Sequence, residues 1–173
     1  TRQFATGSFN TGPSGDHTSG SGNYIYTEAS GSGAGSIAEL ESPQIDCSAL
    51  TNPELRFWYH MFGGSMGDLD VLVDDGSGFV SVFSLNGQQQ TSSAAAWQEA
   101  IVSLSAYAGS TITIRFEGTR GFGFTSDMAV DDVSLDEAPA CPSPTAFALV
   151  ALTATTVELS WTSGGATNWQ IEY

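Results

Sequence analysis

Short runs that alternate apolar and polar residues recur along this chain, each closed by a cluster of Gly, Ser, Asn or Asp. In Thr111-Ile-Thr-Ile-Arg-Phe-Glu117, Ile112, Ile114 and Phe116 fall on one side and Thr113 and Arg115 on the other. In Leu69-Asp-Val-Leu-Val-Asp74, Leu69, Val71 and Val73 share a face. A period of two is what a strand shows when one side meets a core and the other meets water. The same reading gives strands over 23–28, 36–41, 54–62, 79–84, 97–104 and 127–135. Ser93-Ala-Ala-Ala96 has room for a single helical turn, but no stretch carries a capped helical period. Many short strands joined by Gly-rich turns predict an all-β chain, a two-sheet antiparallel sandwich of jelly-roll type. Hydrophobic residues make up 40% of the chain and aromatics 11%, enough to fill such a core.

Charge excludes whole classes of partner. There are 19 acidic residues against 4 basic, a formal net charge of −15, and all four cations are arginines. A nucleic-acid binder needs cations to displace the counterions of phosphate, so nucleic acid is excluded. An anionic membrane surface is disfavoured for the same reason. No apolar run approaches the roughly 20 residues that span a bilayer. Thr1-Arg-Gln-Phe4 lacks the apolar core of a signal peptide, so the chain reads as a mature or excised piece. The acidic excess serves either as a solvated surface or, at particular carboxylates, as cation ligands.

Two cysteines, Cys47 and Cys141, cannot build a four-thiolate zinc site. In a secreted chain their natural reading is one disulfide, with two unrelated thiols as the alternative. The bridge would close a loop of about 95 residues, worth on the order of 4 kcal/mol. A boundary falls at Asp136-Glu-Ala-Pro-Ala-Cys-Pro-Ser-Pro-Thr145, where three prolines prevent regular pairing. The organisation is therefore one domain over 1–137, a linker over 138–144 and a second, partial domain over 145–173.

Nothing in the chain favours catalysis. His-Glu-x-x-His, Gly-x-Ser-x-Gly and P-loop patterns are absent, and 19 acids can be paired at will, so pairing proves nothing. Of the two histidines, His60 lies inside the aromatic strand, where a buried, hydrogen-bonded ring is expected. His17 follows Asp16. Asp68, Asp70, Asp74 and Asp75 miss the EF-hand spacing. Asp70 alternates outward, and Asp74-Asp-Gly-Ser-Gly78 reads as a hairpin turn. Alternation places Phe57 and Tyr59 on one face of their strand and Arg56, Trp58 and His60 on the other, with core packing the expectation for the aromatics. Gly121-Phe-Gly-Phe124 is different. Aromatics between glycines in a loop are hard to bury, which makes Phe122 and Phe124 candidate ligand-binding residues for a sugar or a protein, against a loop that folds back over the sandwich edge.

Eight segments occur in an order that resembles the MAM domain, an extracellular β-sandwich family. They are Gly12-Pro-Ser-Gly-Asp-His-Thr18, Gly22-Asn-Tyr-Ile-Tyr26, Leu40-Glu-Ser-Pro43, Leu55-Arg-Phe-Trp-Tyr-His-Met-Phe-Gly63, Gly67-Asp-Leu-Asp-Val71, Trp97-Gln-Glu-Ala-Ile-Val102, Phe116-Glu-Gly118 and Asp127-Met-Ala-Val-Asp-Asp-Val133. Each is weak alone; together they cover about four-fifths of the chain. The family resemblance implies a non-catalytic adhesion or interaction module, secreted or on a cell surface, as part of a larger multidomain protein. It implies a first strand clipped from the start. It also implies a structural cation, calcium or sodium. The ligands carried over are Asp16, in a Gly-rich loop, and Asp131 on the last strand, with Asp127 and backbone oxygens completing the shell. The alternative is that Asp16 caps a turn and Asp131 pairs with an arginine such as Arg115. Animal members carry more cysteines, and no Asn-x-Ser/Thr sequon is present, which together suggest a bacterial version. Beyond the linker, Thr155-Thr-Val-Glu-Leu-Ser-Trp-Thr162 and Asn168-Trp-Gln-Ile-Glu-Tyr173 resemble early strands of a fibronectin type III domain. The expected partners are an extracellular protein or polysaccharide and flanking domains of the same polypeptide. The competing expectation is a carbohydrate-binding module appended to a secreted polysaccharide-degrading enzyme or protease.

Overall fold

The computed structural model describes residues 2–3, 6–139 and 145–162. The chain divides into two compact units, Thr1–Glu137 and Ala138–Tyr173. Cys141, and with it the Cys47–Cys141 pairing, lies outside the described residues, as do most of the linker and the segment after Thr162.

The first unit contains β1 (Arg2–Gln3), β2 (Tyr24–Tyr26), β3 (Ile37–Glu41), β4 (Ile45–Asp46), β5 (Pro53–His60), β6 (Asp68–Asp74), β7 (Val80–Asn86), β8 (Gln98–Ser103), β9 (Thr111–Thr119) and β10 (Ala129–Glu137). Ser93–Ala96 makes no helix. A short 3-10 turn, Ser105–Tyr107, which periodicity did not signal, follows β8 instead. The strands form two antiparallel sheets. One has the order β1-β2-β10-β5-β8; the other has β3-β9-β6-β7, with β4 also on β9. Burial on β6 alternates as the sequence does, with Leu69, Val71 and Val73 inside. On β5, Leu55, Phe57 and Tyr59 point to the core, and Phe57 meets Phe116 of the opposite sheet edge-on at 5.0 Å between centroids. Such a pair adds about 1 kcal/mol to the area both rings bury.

Strand β10 breaks the period. Val130 and Leu135 both pack on the core although they stand five positions apart, an odd offset that would put them on opposite faces. Asp131 pairs with Trp58 and Ser134 with Arg56, so three residues of β10 advance against two of β5. This is a β-bulge, and Asp132 sits in it with φ +46°. Unbroken alternation would send one of Asp131 and Asp132 toward the core, and the bulge overrides it. Both carboxylates turn to the outer side of the sheet, toward residues 16–19.

The second unit, taken by itself, shows a hairpin of β11 (Thr145–Leu152) and β12 (Val157–Thr162). Its apolar side chains, among them Phe147, Leu149 and Leu152, are exposed.

Candidate functional site

Two acidic loops were singled out in the sequence, and their chemistry differs. Asp16 is wrapped by its own loop rather than sunk in the protein. Its carboxylate accepts the backbone N–H of Ser19 at 3.0 Å and of Gly22 at 2.5 Å, and the Ser19 hydroxyl at 3.0 Å. The Ser19 N–H leads the donors that hold Asp16 below the usual carboxylate range. A Cβ on Gly22 would stand 2.8 Å from Asp16 Oδ2, so a side chain there would push the carboxylate away from its donors. Beside it, Asp131 Oδ2 accepts the His17 N–H at 3.0 Å, and Asp132 Oδ2 lies 2.7 Å from His17 Nδ1 and also accepts the Thr18 hydroxyl. The Thr18 and His17 bonds lower the Asp132 pKa. His17 stacks on Trp58 with 3.7 Å between ring centroids. Arg115 does not reach Asp131. It stands on β9 in the other sheet and pairs with Glu39 and Glu41 across the β3–β9 ladder.

Asp127 is the carboxylate that enters the interior. It is fully buried; its Oδ1 accepts the Ala29 N–H at 2.8 Å, while Oδ2 has no hydrogen-bond partner among the described residues. Burial pushes its pKa up to about 6, against a single compensating backbone donor. Glu28 contributes a repulsive charge and Ser8 a hydroxyl to the same surroundings. Glu28 itself accepts the Ser30 N–H at 2.9 Å and the Ser8 hydroxyl at 3.2 Å. Burial raises the Glu28 pKa, but these bonds outweigh it and the net direction is down. Glu28 and Ser8 were not singled out from sequence. A signal for Glu28 was present: Tyr24, Tyr26 and Glu28 share one parity, and both tyrosines are buried. Ser8 carried no signal. Its place comes from the loop over 6–12, which is tied to the segment just after β5 by Gly12 N–H to Phe62 O at 2.8 Å and to Asp127 N–H through Thr11 Oγ1 at 2.9 Å.

Asp16, Asp131 and Asp127 therefore do not form one cluster. Among the described residues no three His, Cys, Asp or Glu side chains converge as a metal-holding group.

The outer face of the β5 sheet carries a second aromatic layer. His60 is fully buried there and meets Trp97 edge-on at 5.6 Å; Trp97 in turn meets Tyr24 at 5.5 Å. Loop 13–15 closes over this layer through Ser14 N–H to Ser93 O, Trp97 Nε1–H to Gly15 O and Tyr24 O–H to Pro13 O. Desolvation lowers the His60 pKa to about 4, so the ring is neutral at physiological pH. Backbone groups of Ala95 and Ser92 lie near the ring, but neither ring nitrogen makes a hydrogen bond among the described residues. His60 is thus buried as expected, without the hydrogen bond that was expected with it. Cys47 is also buried, which pushes its thiol pKa up.

The Gly121–Phe124 segment stays in water. Phe122 is 95% exposed and Phe124 53%. The loop does not fold back over the sandwich, yet it is firmly seated. Gly121 N–H and Gly67 N–H both donate to the buried Ser126 hydroxyl, at 2.9 and 3.2 Å. A Cβ on Gly121 would lie 1.9 Å from Ser65 O, and one on Gly67 1.9 Å from Thr119 O, so the two backbones touch as only glycines allow.

The two antiparallel sheets and the seated loops at their ends define a β-sandwich module of jelly-roll class. The chain belongs to the MAM domain family (meprin/A5/mu), whose model matches residues 1–142. Over 134 residues it is 34% identical to neuropilin-1a of Danio rerio, covering 75% of this chain and 14% of that protein. It is 37% identical over 131 residues to MAM domain-containing protein 2 of Mus musculus, covering 75% and 18%. It is also 37% identical over 139 residues to human MAM domain-containing glycosylphosphatidylinositol anchor protein 1, covering 77% and 14%. The chain thus spans less than a fifth of the length of these relatives. Among solved structures, the K1 cleaved adhesin domain of Lys-gingipain from Porphyromonas gingivalis W83 shares the fold. The TM-score is 0.54 at 16% identity, covering 70% of this chain and 78% of that one.

Proposed function

We propose that this chain is a non-catalytic, extracellular adhesion or interaction module of a larger protein, stabilised by a structural cation. Membership of the MAM family over residues 1–142 carries the reading, because the matched relatives hold such domains as small parts of long chains. A net charge of −15 with seated, solvent-facing loops suits a module that meets partners outside the cell rather than nucleic acid. Among the described residues no helix is long and apolar enough to cross a membrane.

The cation belongs at Asp127. A buried carboxylate oxygen with no partner needs a counter-charge, and burial of the bare anion is costly. A hard cation takes oxygen ligands, and Asp127 and Glu28 would hold it, with Ser8 and backbone carbonyls of the 6–12 loop filling the shell. Calcium or sodium suits this donor set. When bound, it would neutralise the Asp127–Glu28 repulsion and fix the loop. Asp16 and Asp131, with their oxygens already accepting backbone donors, act as loop braces in this reading. Calcium-dependent adhesion of beads coated with the whole chain, abolished by chelator, tests the proposal. Beads that neither self-associate nor bind a panel of extracellular proteins and polysaccharides would overturn it.

Three further parts of the proposal start from the sequence. Residues 145–173 supply the first strands of a fibronectin type III domain; Cys47 pairs with Cys141; and the source is bacterial. The exposed apolar side chains of the β11–β12 hairpin support the first, since a two-stranded hairpin cannot bury them.

A further inference from the structure

The Gly121–Phe124 loop forms one wall of a cleft of about 470 Å³. Gly35, Asp68, Asn86 and Arg120 line it, and the almost fully exposed ring of Phe122 stands at it. Its polar groups come from three separate strands or strand ends: Asp68 opens β6, Asn86 closes β7, and Arg120 follows β9. Asn86 Nδ2 donates to Asp68 Oδ1, which holds the two planar side chains together across a β6–β7 pair. Arg120 is fixed from behind. Its Nε–H donates to Ala29 O at 2.7 Å and Nη1 to Gly121 O at 3.4 Å, and no carboxylate pairs with it among the described residues. A guanidinium carries five N–H donors, so some remain for a ligand.

We infer that this cleft is a saccharide-binding subsite in which Phe122 stacks on the apolar face of a sugar ring and Asp68, Asn86 and Arg120 bind its hydroxyls. Every part suits that chemistry. One flat exposed ring offers a stacking face, and beside it lie an acceptor, an amide that both donates and accepts, and a fork of donors, which match adjacent hydroxyls. The platform is pre-organised, because the glycine contacts with Ser65 and Thr119 hold the loop before any ligand arrives. Phe122 on a mobile loop would lose that advantage. Charge decides the kind of sugar. Asp68 and Arg120 cancel within the cleft, and the chain around them carries −15, so a uronate or sulfated polymer is repelled and a neutral polysaccharide is the occupant. This deepens the interaction-module reading by naming the ligand class for one of its surfaces, and it rests on that reading.

The test is affinity electrophoresis of the whole chain in gels containing soluble β-glucan, arabinoxylan or galactomannan, with alginate as the anionic control. At least one neutral polymer should retard the chain and alginate should not. Phe122→Ala should weaken retardation about tenfold or more, as loss of an aromatic anchor does. Asn86→Ala should weaken it less, and Phe9→Ala, a change to an exposed ring outside the cleft, should leave it unchanged. Because Phe122 is solvent-exposed, the variant's melting temperature should match the parent's. No retardation in any neutral gel, or retardation untouched by Phe122→Ala, sinks the saccharide site. Beads that still adhere to a glycan-free protein in that event keep the module reading alive, so the two failures are distinguishable.

Discussion

Asp16 and Asp127 are both little exposed, both lie in loops at strand ends, and the sequence pointed to both as cation ligands. Their partners set them apart. Three donor groups converge on Asp16, and its pKa falls. Asp127 has one donor on one oxygen and none on the other, and its pKa rises to about 6. Burial by itself therefore does not identify a metal ligand. What identifies it is burial that the protein's own donors leave uncompensated.

The largest expected effect tests that contrast directly. In chelator at pH 7, Asp127→Asn should stabilise the chain by on the order of 3 kcal/mol, because the neutral amide avoids burying a charge. Urea melts followed by tryptophan fluorescence measure it. If the variant is instead destabilised in chelator, Oδ2 has a partner and the contrast collapses.

The next effect is calcium itself. At about one hundred times its dissociation constant, a cation bound only to the folded chain adds about 2.7 kcal/mol. Calorimetry with and without chelator should show that gain in the parent and not in Asp127→Asn. An unchanged melting temperature in both would remove calcium from the account.

The two aspartates should also answer pH with opposite signs. Asp127 has a folded pKa above its unfolded value of 3.8, so in chelator it favours the folded state as protons bind. The cost of burying Asp127, read as the stability difference between the parent and Asp127→Asn, should shrink as pH falls from 7 toward 4. Asp16 has a folded pKa below 3.8, so its contribution is complete above that value and is lost as pH falls through its folded pKa. His60, lowered to about 4 by burial, makes the folded state lose stability over the same range, so the sign is read from the difference between variants: in chelator the advantage of Asp127→Asn over the parent should be largest near pH 7 and vanish toward pH 4. An advantage that stayed constant from pH 7 to pH 4 would contradict it.

A smaller effect belongs to the loop brace. Asp16→Asn should lower the melting temperature modestly, since the amide nitrogen cannot accept the Gly22 or Ser19 N–H, while leaving the calcium response intact. A variant that loses the calcium response as completely as Asp127→Asn would make the two loops one site. The smallest effect separates backbone from side chain in the bulge. Asp132→Ala should be about 1 kcal/mol less stable than Asp132→Gly, because only glycine adopts φ +46° without a Cβ penalty. Equal melting midpoints would place the strain elsewhere.

Much of the fold was legible because its physics is local and periodic. Leu69, Val71 and Val73, or Ile112, Ile114 and Phe116, declare their face by alternation, and the Asp74–Gly78 turn is written in residues that accept their own backbone N–H groups. The two-residue strands β1 and β4 were missed because two residues carry no period. The site was less legible. Asp127 was named, but its partners Glu28 and Ser8 come from segments about 100 residues away, joined by loop closure and not by any motif. Phe122 was legible for the opposite reason: a large ring between glycines had nowhere local to hide.

The bulge at Asp132 has a consequence for the reading frame of β10. Before it, even-numbered residues such as Val130 face inward; after it, odd-numbered ones such as Leu135 do. The strand is two phases spliced at one extra residue. Deleting Val133 would remove the extra residue: Val130 and Leu135 would then stand four positions apart and both stay at the core, while Asp132 would be turned inward. The cost of that deletion should therefore fall on Asp132 and its contact with His17, whereas deleting Leu72 from the unbroken alternation of β6 would carry Val73 off the core.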